Sequence, residues 1–192
     1  LEACRRHGVE HLTFASTGGA LYGDPEEVPC DESAPIRPKA PYGAAKYAVE
    51  TYLDVYRSTW GSKCVALRYG KVYGPRQSPS GEAGVIAIFA HGMLQGQQPT
   101  IFGDGSKTRD YVFVEDIVAA NMAATGEVGD SELLNLSCAR EVSDYRIFEL
   151  VREATGATVD PQYAPKRPGE ADRVSLDNTK AASVLGWKPI KH

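Results

Sequence analysis

The run of residues 41–60 constrains the fold of this chain more than any other segment. Its apolar residues recur with the helical period and Gly61 follows as a stop signal, so the run predicts one long helix. Apolar runs at 9–16 and 63–69 flank it and are typical of buried parallel strands. Strand, helix and strand in this order form a βαβ unit of a doubly wound α/β sheet. The apolar side of the helix comprises Tyr42, Ala45, Val49, Tyr52, Leu53 and Tyr56.

Two residues at the start of this helix suggest chemistry. Tyr42 precedes Lys46 by four positions, and residues with this spacing share a helix face. The lysine ammonium is therefore expected near the phenol, where it favours the ionised phenolate and makes the tyrosine a base. A tyrosine and a lysine on a solvated helix face would show the same spacing, so the pair alone leaves both interpretations open.

Composition restricts the partners. The 192 residues are 42% hydrophobic and 24% charged, which fits one globular domain or one domain with an added lobe. The net charge of −4 argues against nucleic acid or an anionic membrane as the main partner. We expect no transmembrane segment and no secretory signal, and place the protein in the cytoplasm. The cysteines have no metal-binding spacing, so we expect reduced thiols and no metal site at Cys4, Cys30, Cys64 and Cys138.

The remaining segments alternate loops with short elements. Loops are predicted at 17–23 and 70–84, a proline-rich extended segment at 24–41 and a basic loop at 161–169. Strands are predicted at 100–102, 110–114 and 133–136. Helices are predicted at 85–94, 115–125, 143–155 (with Ser143 as N-cap) and 176–186.

Both ends of the chain look interrupted. Residues 1–8 are typical of the last turns of a helix closed by a glycine, and no methionine precedes them. The sequence after Leu185 ends in a proline-bounded turn that would normally lead into another element. We therefore expect the chain to be cut at both ends.

Polar residues follow the two flanking strands. Ser16 and Thr17 end the first strand, and the segment 67–76 (Leu-Arg-Tyr-Gly-Lys-Val-Tyr-Gly-Pro-Arg) ends the second. Open α/β sheets bind their ligands at the carboxyl ends of their strands, so these hydroxyls could donate to a substrate oxygen and to Tyr42. Starting a turn is an equally good explanation for either hydroxyl.

Two basic positions suit a phosphorylated ligand. Arg109 follows a glycine-rich turn at 103–105, and a guanidinium can bind two phosphate oxygens at once through a pair of hydrogen bonds. An ion pair with Asp104 or Asp110 is the alternative. Arg167 belongs to a second basic loop at 166–170, for which a solvated turn is at least as good an interpretation.

Together these motifs resemble those of the extended short-chain dehydrogenase/reductase family, in its NAD-dependent epimerase/dehydratase branch, and in particular the bacterial UDP-glucose 4-epimerase type. The resemblance covers essentially the whole chain. It rests on the order of the motifs at 16–23, 42–46, 67–76, 81–89, 101–112, 167–170 and 185–189.

The resemblance implies the architecture and the partners. Residues 1–75 would be the C-terminal half of a Rossmann-like domain. Residues 76–192 would be mainly a smaller mixed α/β lobe for a nucleotide sugar, with some segments returning to the sheet. NAD would be the cofactor and a UDP-hexose the substrate. A homodimer would form through the helix 41–60, whose apolar face is equally compatible with core packing.

The resemblance also implies roles for residues. Tyr42 would take the proton of the sugar 4-hydroxyl, and Lys46 would favour the phenolate and hold the nicotinamide ribose. Thr17 would bridge the sugar oxygen and the phenol, with Ser16 as the substitute one position away. Gly70 would lie beside the nicotinamide. The nucleotide-sugar contacts would be Lys71, Val85, Thr100, Phe102, Arg109 and Arg167, the two arginines on the diphosphate.

Two departures from the family pattern limit these implications. The chain contains no G-x-x-G-x-x-G turn after a first strand, so we expect it alone to bind NAD poorly and to be inactive. Lys71 stands where the family usually has asparagine and cannot reproduce an amide acceptor, which leaves the sugar open. A nucleotide-sugar decarboxylase or reductase, or a non-catalytic nucleotide-sugar-binding chain, remains an alternative. A dehydratase is less favoured, because Gly18 and Gly19 follow Thr17 in place of an acidic pair.

Overall fold

The computed structural model describes residues 1–81, 84–125 and 132–191. The strands are β1 Leu12–Thr17, β2 Cys64–Tyr69, β3 Lys71–Tyr73, β4 Thr100–Phe102, β5 Thr108–Arg109, β6 Tyr111–Phe113, β7 Leu133–Leu136, β8 Val142–Ser143 and β9 Gln162–Ala164. The helices are α1 Glu2–Arg6, α2 Gly19–Tyr22, α3 Pro41–Trp60, α4 Val85–Leu94, α5 Val114–Ala124, α6 Asp144–Thr155 and α7 Thr179–Leu185.

A three-stranded parallel sheet in the order β1-β2-β7 lies at the centre of the fold. β1 and β2 are in register from Leu12 opposite Cys64 to Thr17 opposite Tyr69, and α3 connects them. The predicted βαβ unit is therefore confirmed. β7, from the later part of the chain, pairs with β2 on its other side. The carboxyl ends of all three strands lie at one edge of the sheet, where this architecture places a ligand.

Hydrophobic clusters on the two faces of β2 and beyond it hold the elements together. Cys64 and Ala66 pack with Leu53 of α3 on one face of the sheet. Val65 and Leu67 pack on the opposite face with α5, α7 and Trp187. A separate cluster joins α4 to α6 around Phe89 and Phe148. The described residues thus pack on both faces of the sheet and, separately, between α4 and α6.

The long helix α3 buries a face different from the predicted one. Its buried residues are Gly43, Glu50 and Leu53. Tyr42 and Tyr52, both assigned to the apolar face, are 53% and 62% exposed. Core packing therefore explains only part of that face, since Leu53 is buried and Val49 packs beside it while Tyr42, Ala45 and Tyr52 are exposed. The helix contacts the sheet through a narrower stripe that includes a carboxylate.

Three segments predicted as loops contain regular structure. Residues 17–23 include the single turn α2, residues 70–84 include β3, and residues 161–169 include β9. β3 pairs with β6 and β9 with β4, both in parallel, while β5 pairs with β8 antiparallel. These strands have two or three residues each, which is too short for a period of two to be visible in the sequence. Residues 82 and 83 of the 81–89 motif lie outside the described residues.

The other predicted elements are confirmed with the predicted bounds or with shifts of up to three residues. β1 begins at Leu12 rather than at residue 9. Ser143 caps α6 by accepting from the Arg146 backbone N–H at 3.1 Å. α7 begins at Thr179 after the predicted start at Asp177, whose carboxylate accepts the Thr179 backbone N–H. All four cysteines are free thiols. Among the described residues, every helix is too short or too polar to cross a membrane.

Candidate active site

The predicted catalytic residues Thr17 and Tyr42 line one cavity of about 460 Å³ at the carboxyl edge of the sheet. Thr17 is the last residue of β1, and Tyr42 is the second residue of α3. Gly70 follows β2 directly and lines the same cavity. Three elements of the βαβ unit therefore bring a hydroxyl, a phenol and exposed backbone to one place.

Lys46 lies beside this cavity and is fixed to the neighbouring strand. Its Nζ donates to the Ala15 carbonyl at 2.8 Å. The ammonium lies 5.8 Å from the centroid of the Tyr42 ring and 4.9 Å from that of Phe14. An ammonium has three donors, so two remain for a ligand. The predicted proximity of the two side chains is observed, and it depends on the strand as well as on helical spacing.

Ser16 and Thr17 point to opposite sides, as successive residues of a strand must. The Ser16 side chain is buried, and its hydroxyl donates to the Glu50 carboxylate at 2.6 Å. Thr17 faces the cavity. The structure therefore brings Thr17, and not Ser16, together with Tyr42.

The glycine at position 70 has a packing reason of its own. A Cβ there would lie 2.7 Å from the Asp110 carbonyl oxygen, a distance that non-bonded atoms do not tolerate. Its backbone N–H donates to the Leu136 carbonyl at 2.8 Å. The close approach of the chain at Gly70 thus joins β2, β7 and the start of β6, whether or not a ligand lies against it.

All six predicted substrate contacts line a second cavity of about 450 Å³. It lies between α4, β4 and the loop before Ala171, and it shares Lys71, Arg109 and Glu170 with the first cavity. The two cavities are therefore neighbours across a common charged wall. The predicted contacts in the second cavity are Lys71, Val85, Thr100, Phe102, Arg109 and Arg167.

The two predicted diphosphate arginines carry no ion pair with any residue that the structure describes. Arg109 Nη1 donates to the Thr108 carbonyl at 2.6 Å. Arg167 lies over the ring of Phe102, with 3.7 Å between its guanidinium carbon and the ring centroid. The sequence-based alternative for Arg109 is wrong, because the Asp104 carboxylate binds Ser106 and that of Asp110 binds other partners. Both guanidiniums are available to an anion.

Lys71 adds a third positive charge to this wall. The residue as a whole is exposed and lines the second cavity, and its ammonium has no ion pair with a described residue. The surrounding protein and then the nearby Arg109 guanidinium lower the pKa of this ammonium. The nearby carboxylates of Glu170 and Asp144 oppose this lowering without forming an ion pair with Lys71.

Two features of the second cavity were missed at the sequence level. Lys107 bridges Glu170 and Asp144, with 3.2 Å to the latter carboxylate. Tyr111 also lines this cavity, and its buried hydroxyl has no hydrogen-bond partner among the described residues. Burial raises the pKa of Tyr111, so this hydroxyl keeps its proton. These contacts join residues that are far apart in the sequence, so no local sequence pattern predicts them.

The fold and the site together define a class: an α/β protein with a tyrosine–lysine pair at the sheet edge and a neighbouring cavity lined by Lys71, Arg109 and Arg167. Residues 1–137 match the family model described as the NAD dependent epimerase/dehydratase family, and the chain belongs to that family.

Comparisons with individual proteins agree with this membership. A UDP-glucose 4-epimerase of Mycolicibacterium smegmatis is 44% identical over 188 residues, covering 98% of this chain and 60% of the relative. The crystal structure of UDP-glucose 4-epimerase with UDP-glucose from Thermotoga maritima has a TM-score of 0.97 at 44% identity, over 100% of this chain and 62% of that one. The Thermus thermophilus UDP-glucose 4-epimerase complex with NAD has a TM-score of 0.93, also at 44% identity, with the same coverage. The chain thus spans about three fifths of the length of these relatives.

Proposed function

We propose that this protein is a NAD-dependent UDP-hexose 4-epimerase that interconverts UDP-glucose and UDP-galactose through a 4-keto intermediate. The observation that carries the proposal is the junction of two cavities. One holds Thr17 and Tyr42. The adjoining one holds Arg167 and shares Arg109 with the first, and neither guanidinium forms an ion pair with a described residue. A sugar nucleotide has the same division, with a reacting hexose at one end of a diphosphate and a base at the other.

In the first cavity the protein supplies proton transfer. Tyr42 takes the proton from the sugar 4-hydroxyl and later returns one to the same oxygen. Thr17 accepts from or donates to that oxygen and the phenol. Lys46, anchored on Ala15, keeps its positive charge near the phenol ring and favours the phenolate.

The residues of the first cavity fit the nicotinamide ribose of the cofactor. Lys46 has two ammonium donors left for ribose hydroxyls, and the Tyr42 phenol is 53% exposed beside it. Gly70 lets the backbone line the cavity without a side chain. NAD, when bound there, would supply the hydride acceptor and donor that a change of configuration at C4 requires.

In the second cavity the protein supplies affinity. Arg109 and Arg167 bind the diphosphate, with Lys71 beside them, and charge-assisted bonds of this kind are about twice as strong as neutral ones. Val85, Thr100 and Phe102 provide the walls of the uridine site. Firm binding of the nucleotide leaves the hexose free to turn between two hydride transfers, which epimerisation at C4 requires.

The test is chromatographic conversion of UDP-glucose to UDP-galactose by the protein at its natural length, with NAD present. The matched control is Tyr42→Phe, which removes only the phenolic oxygen. It should keep its UDP affinity, measured by isothermal titration, and lose roughly 10²- to 10⁴-fold in turnover. A wild-type protein that binds UDP and NAD but converts neither sugar contradicts the proposal. A requirement for NADH or NADPH would identify a reductase, and UDP binding without NAD binding a non-catalytic chain.

We also propose that the active form is a cytoplasmic homodimer that associates through α3, with residues 1–75 in the cofactor domain and 76–192 mainly in the sugar-nucleotide lobe. The support for the dimer is the exposed aromatic surface of the helix, where Tyr52 and Trp60 are 62% and 49% exposed. Sedimentation of the wild type against Tyr52→Arg tests it. A wild type that sediments as a monomer overturns it.

A further inference from the structure

We infer that the buried ion pair between Glu50 and Arg68 is a positioning device, which sets the helix of Tyr42 against the strand end that carries Thr17. The inference rests on the proposed function for its catalytic consequence, because it concerns the residues that hold the reacting groups in place. It assigns a role to two side chains that contact neither of the two cavities that form the candidate active site.

The contacts of Glu50 tie three elements together. Arg68 Nε donates to one carboxylate oxygen of Glu50 at 3.1 Å, and Nη2 donates to the other at 2.7 Å. The Ser16 hydroxyl donates to the first of these oxygens at 2.6 Å. Glu50 belongs to α3, Ser16 to β1 and Arg68 to β2. One carboxylate thus joins the helix to both neighbouring strands.

A second layer extends the network to two more elements. Arg68 Nη1 donates to the Tyr22 hydroxyl at 2.7 Å, and that hydroxyl donates to Asn135 Oδ1 at 2.9 Å. Burial, opposed by Arg68, raises the pKa of Tyr22 to about 12, so the phenol keeps the proton that it donates. α2 and β7 are thereby fixed to the same guanidinium.

The placement of the network matches the placement of the proposed catalytic groups. Glu50 lies one turn after Lys46 and two turns after Tyr42 on the same helix face. Ser16 is the neighbour of Thr17, and Arg68 lies two residues before Gly70. Any rotation of α3 about its axis that displaces Tyr42 from Thr17 must break a bond of the Glu50 carboxylate.

The energetics favour a role in orientation. The side chains of Glu50 and Arg68 are each only 3% exposed. Apolar residues of similar volume often stabilise a core as well as a buried ion pair does, because the pair must be stripped of water. A bidentate pair between a guanidinium and a carboxylate has a fixed planar geometry, so it allows one relative orientation of α3 and β2. An apolar pair imposes no such orientation.

The first experiment separates orientation from stability by steady-state kinetics and thermal unfolding. Glu50→Gln should lower kcat roughly 10- to 100-fold with KM for the UDP-sugar nearly unchanged, since small misplacements of catalytic groups have effects of that size. The double variant Glu50→Met with Arg68→Met should recover the melting temperature and keep the low kcat. Recovery of both melting temperature and kcat in the double variant overturns the inference.

The second experiment does not depend on catalysis, so it separates failure of this inference from failure of the proposed function. Amide hydrogen exchange is followed in the wild type and in Glu50→Gln, with Ile117→Val as control because Ile117 packs on the opposite face of the sheet. Glu50→Gln should speed exchange at residues 42–50 roughly tenfold beyond any change in the control. Equal exchange in the two variants overturns the inference, even if the wild type is an active epimerase.

Discussion

The guanidinium of Arg167 lies 3.7 Å above the ring of Phe102 and carries no ion pair with a described residue. Cation–π stacking fixes a guanidinium without using its hydrogen-bond donors. Arg167 is therefore held in the second cavity with its N–H groups still available. A side chain prepared in this way loses little conformational entropy when an anion binds.

Replacing Arg167 by methionine should weaken UDP binding roughly 10- to 100-fold, the range expected for loss of a charge-assisted hydrogen bond. Stability should change little, because the arginine has no charged partner in the described structure. Isothermal titration with UDP measures the first effect and thermal unfolding the second.

The matched control for this change is Arg146→Met, which alters net charge equally on an exposed helix position paired with Glu149. It should leave UDP affinity unchanged. If the two variants bind UDP equally well, Arg167 does not contact the nucleotide.

Lys71 should affect stability and affinity in opposite directions. Partial burial and then the Arg109 charge lower the pKa of its ammonium, so the charged form destabilises the fold. That destabilisation is present below the lowered folded pKa and disappears as pH rises from there to the unfolded value of about 10.4. Lys71→Gln should therefore unfold at a higher temperature than the wild type at pH 7, with the difference shrinking toward pH 10.

The same substitution should weaken UDP binding roughly threefold to tenfold at pH 7, less than loss of a fully buried charge would, because Lys71 is only partly shielded from solvent. In the wild type this part of the affinity should fade as pH rises through the lowered pKa, and in Lys71→Gln it should be absent at every pH. UDP titrations at pH 7 and pH 10 give the comparison. If UDP affinity depends on pH in the same way in the wild type and in Lys71→Gln, a group other than Lys71 causes that dependence.

Cys30 should resist alkylation in the folded protein. Burial raises the pKa of its thiol to about 11, and the Sγ donates to the Ser175 carbonyl at 3.5 Å. Because the thiolate is the reactive form, iodoacetamide at pH 8 should modify Cys30 roughly 100-fold more slowly than an ordinary thiol of pKa about 8.5. Site-resolved mass spectrometry measures the rate. The same thiol in urea is the control, and equal rates in both conditions would show that Cys30 is accessible in the fold.

The sequence predicts the parts of the fold in which one pattern extends over many residues. The twenty residues of α3 and the apolar runs around them are long enough for their periods to be unambiguous, and the βαβ unit follows from them. β5 and β8 have two residues each and exist only because distant segments meet. Local patterns cannot show such pairings.

The candidate site divides in the same way. Strand-end rules and the resemblance predict that Thr17, Tyr42 and Arg109 lie close together, and the structure places all three around one cavity. Glu50 was missed because a glutamate within a helix looks like a solvated residue. Arg68 gave a signal that could have been used: a charged residue in an otherwise apolar strand requires a buried partner.

Asp110 should be among the most sensitive positions for stability. Its carboxylate is fully buried and accepts four hydrogen bonds, from Cys138 N, Arg140 N, Ser175 Oγ and Leu176 N, at 2.9 to 3.2 Å. Burial raises the pKa of this carboxyl, and the donors oppose that rise. The carboxylate thus closes the contact between β6, the end of β7 and the segment before α7.

Asp110→Asn keeps the shape but turns an NH₂ group toward donors that need an acceptor. At least one buried donor is then unsatisfied, and we expect the free energy of unfolding to fall by about 2–4 kcal/mol. Urea denaturation measures it. The control is Asp104→Asn, because Asp104 accepts only from Ser106 in an exposed turn that asparagine can also form, and it should stay within about 0.5 kcal/mol of the wild type. If the two variants are equally stable, the prediction is wrong. The four buried donors around Asp110 would then find other acceptors after the substitution.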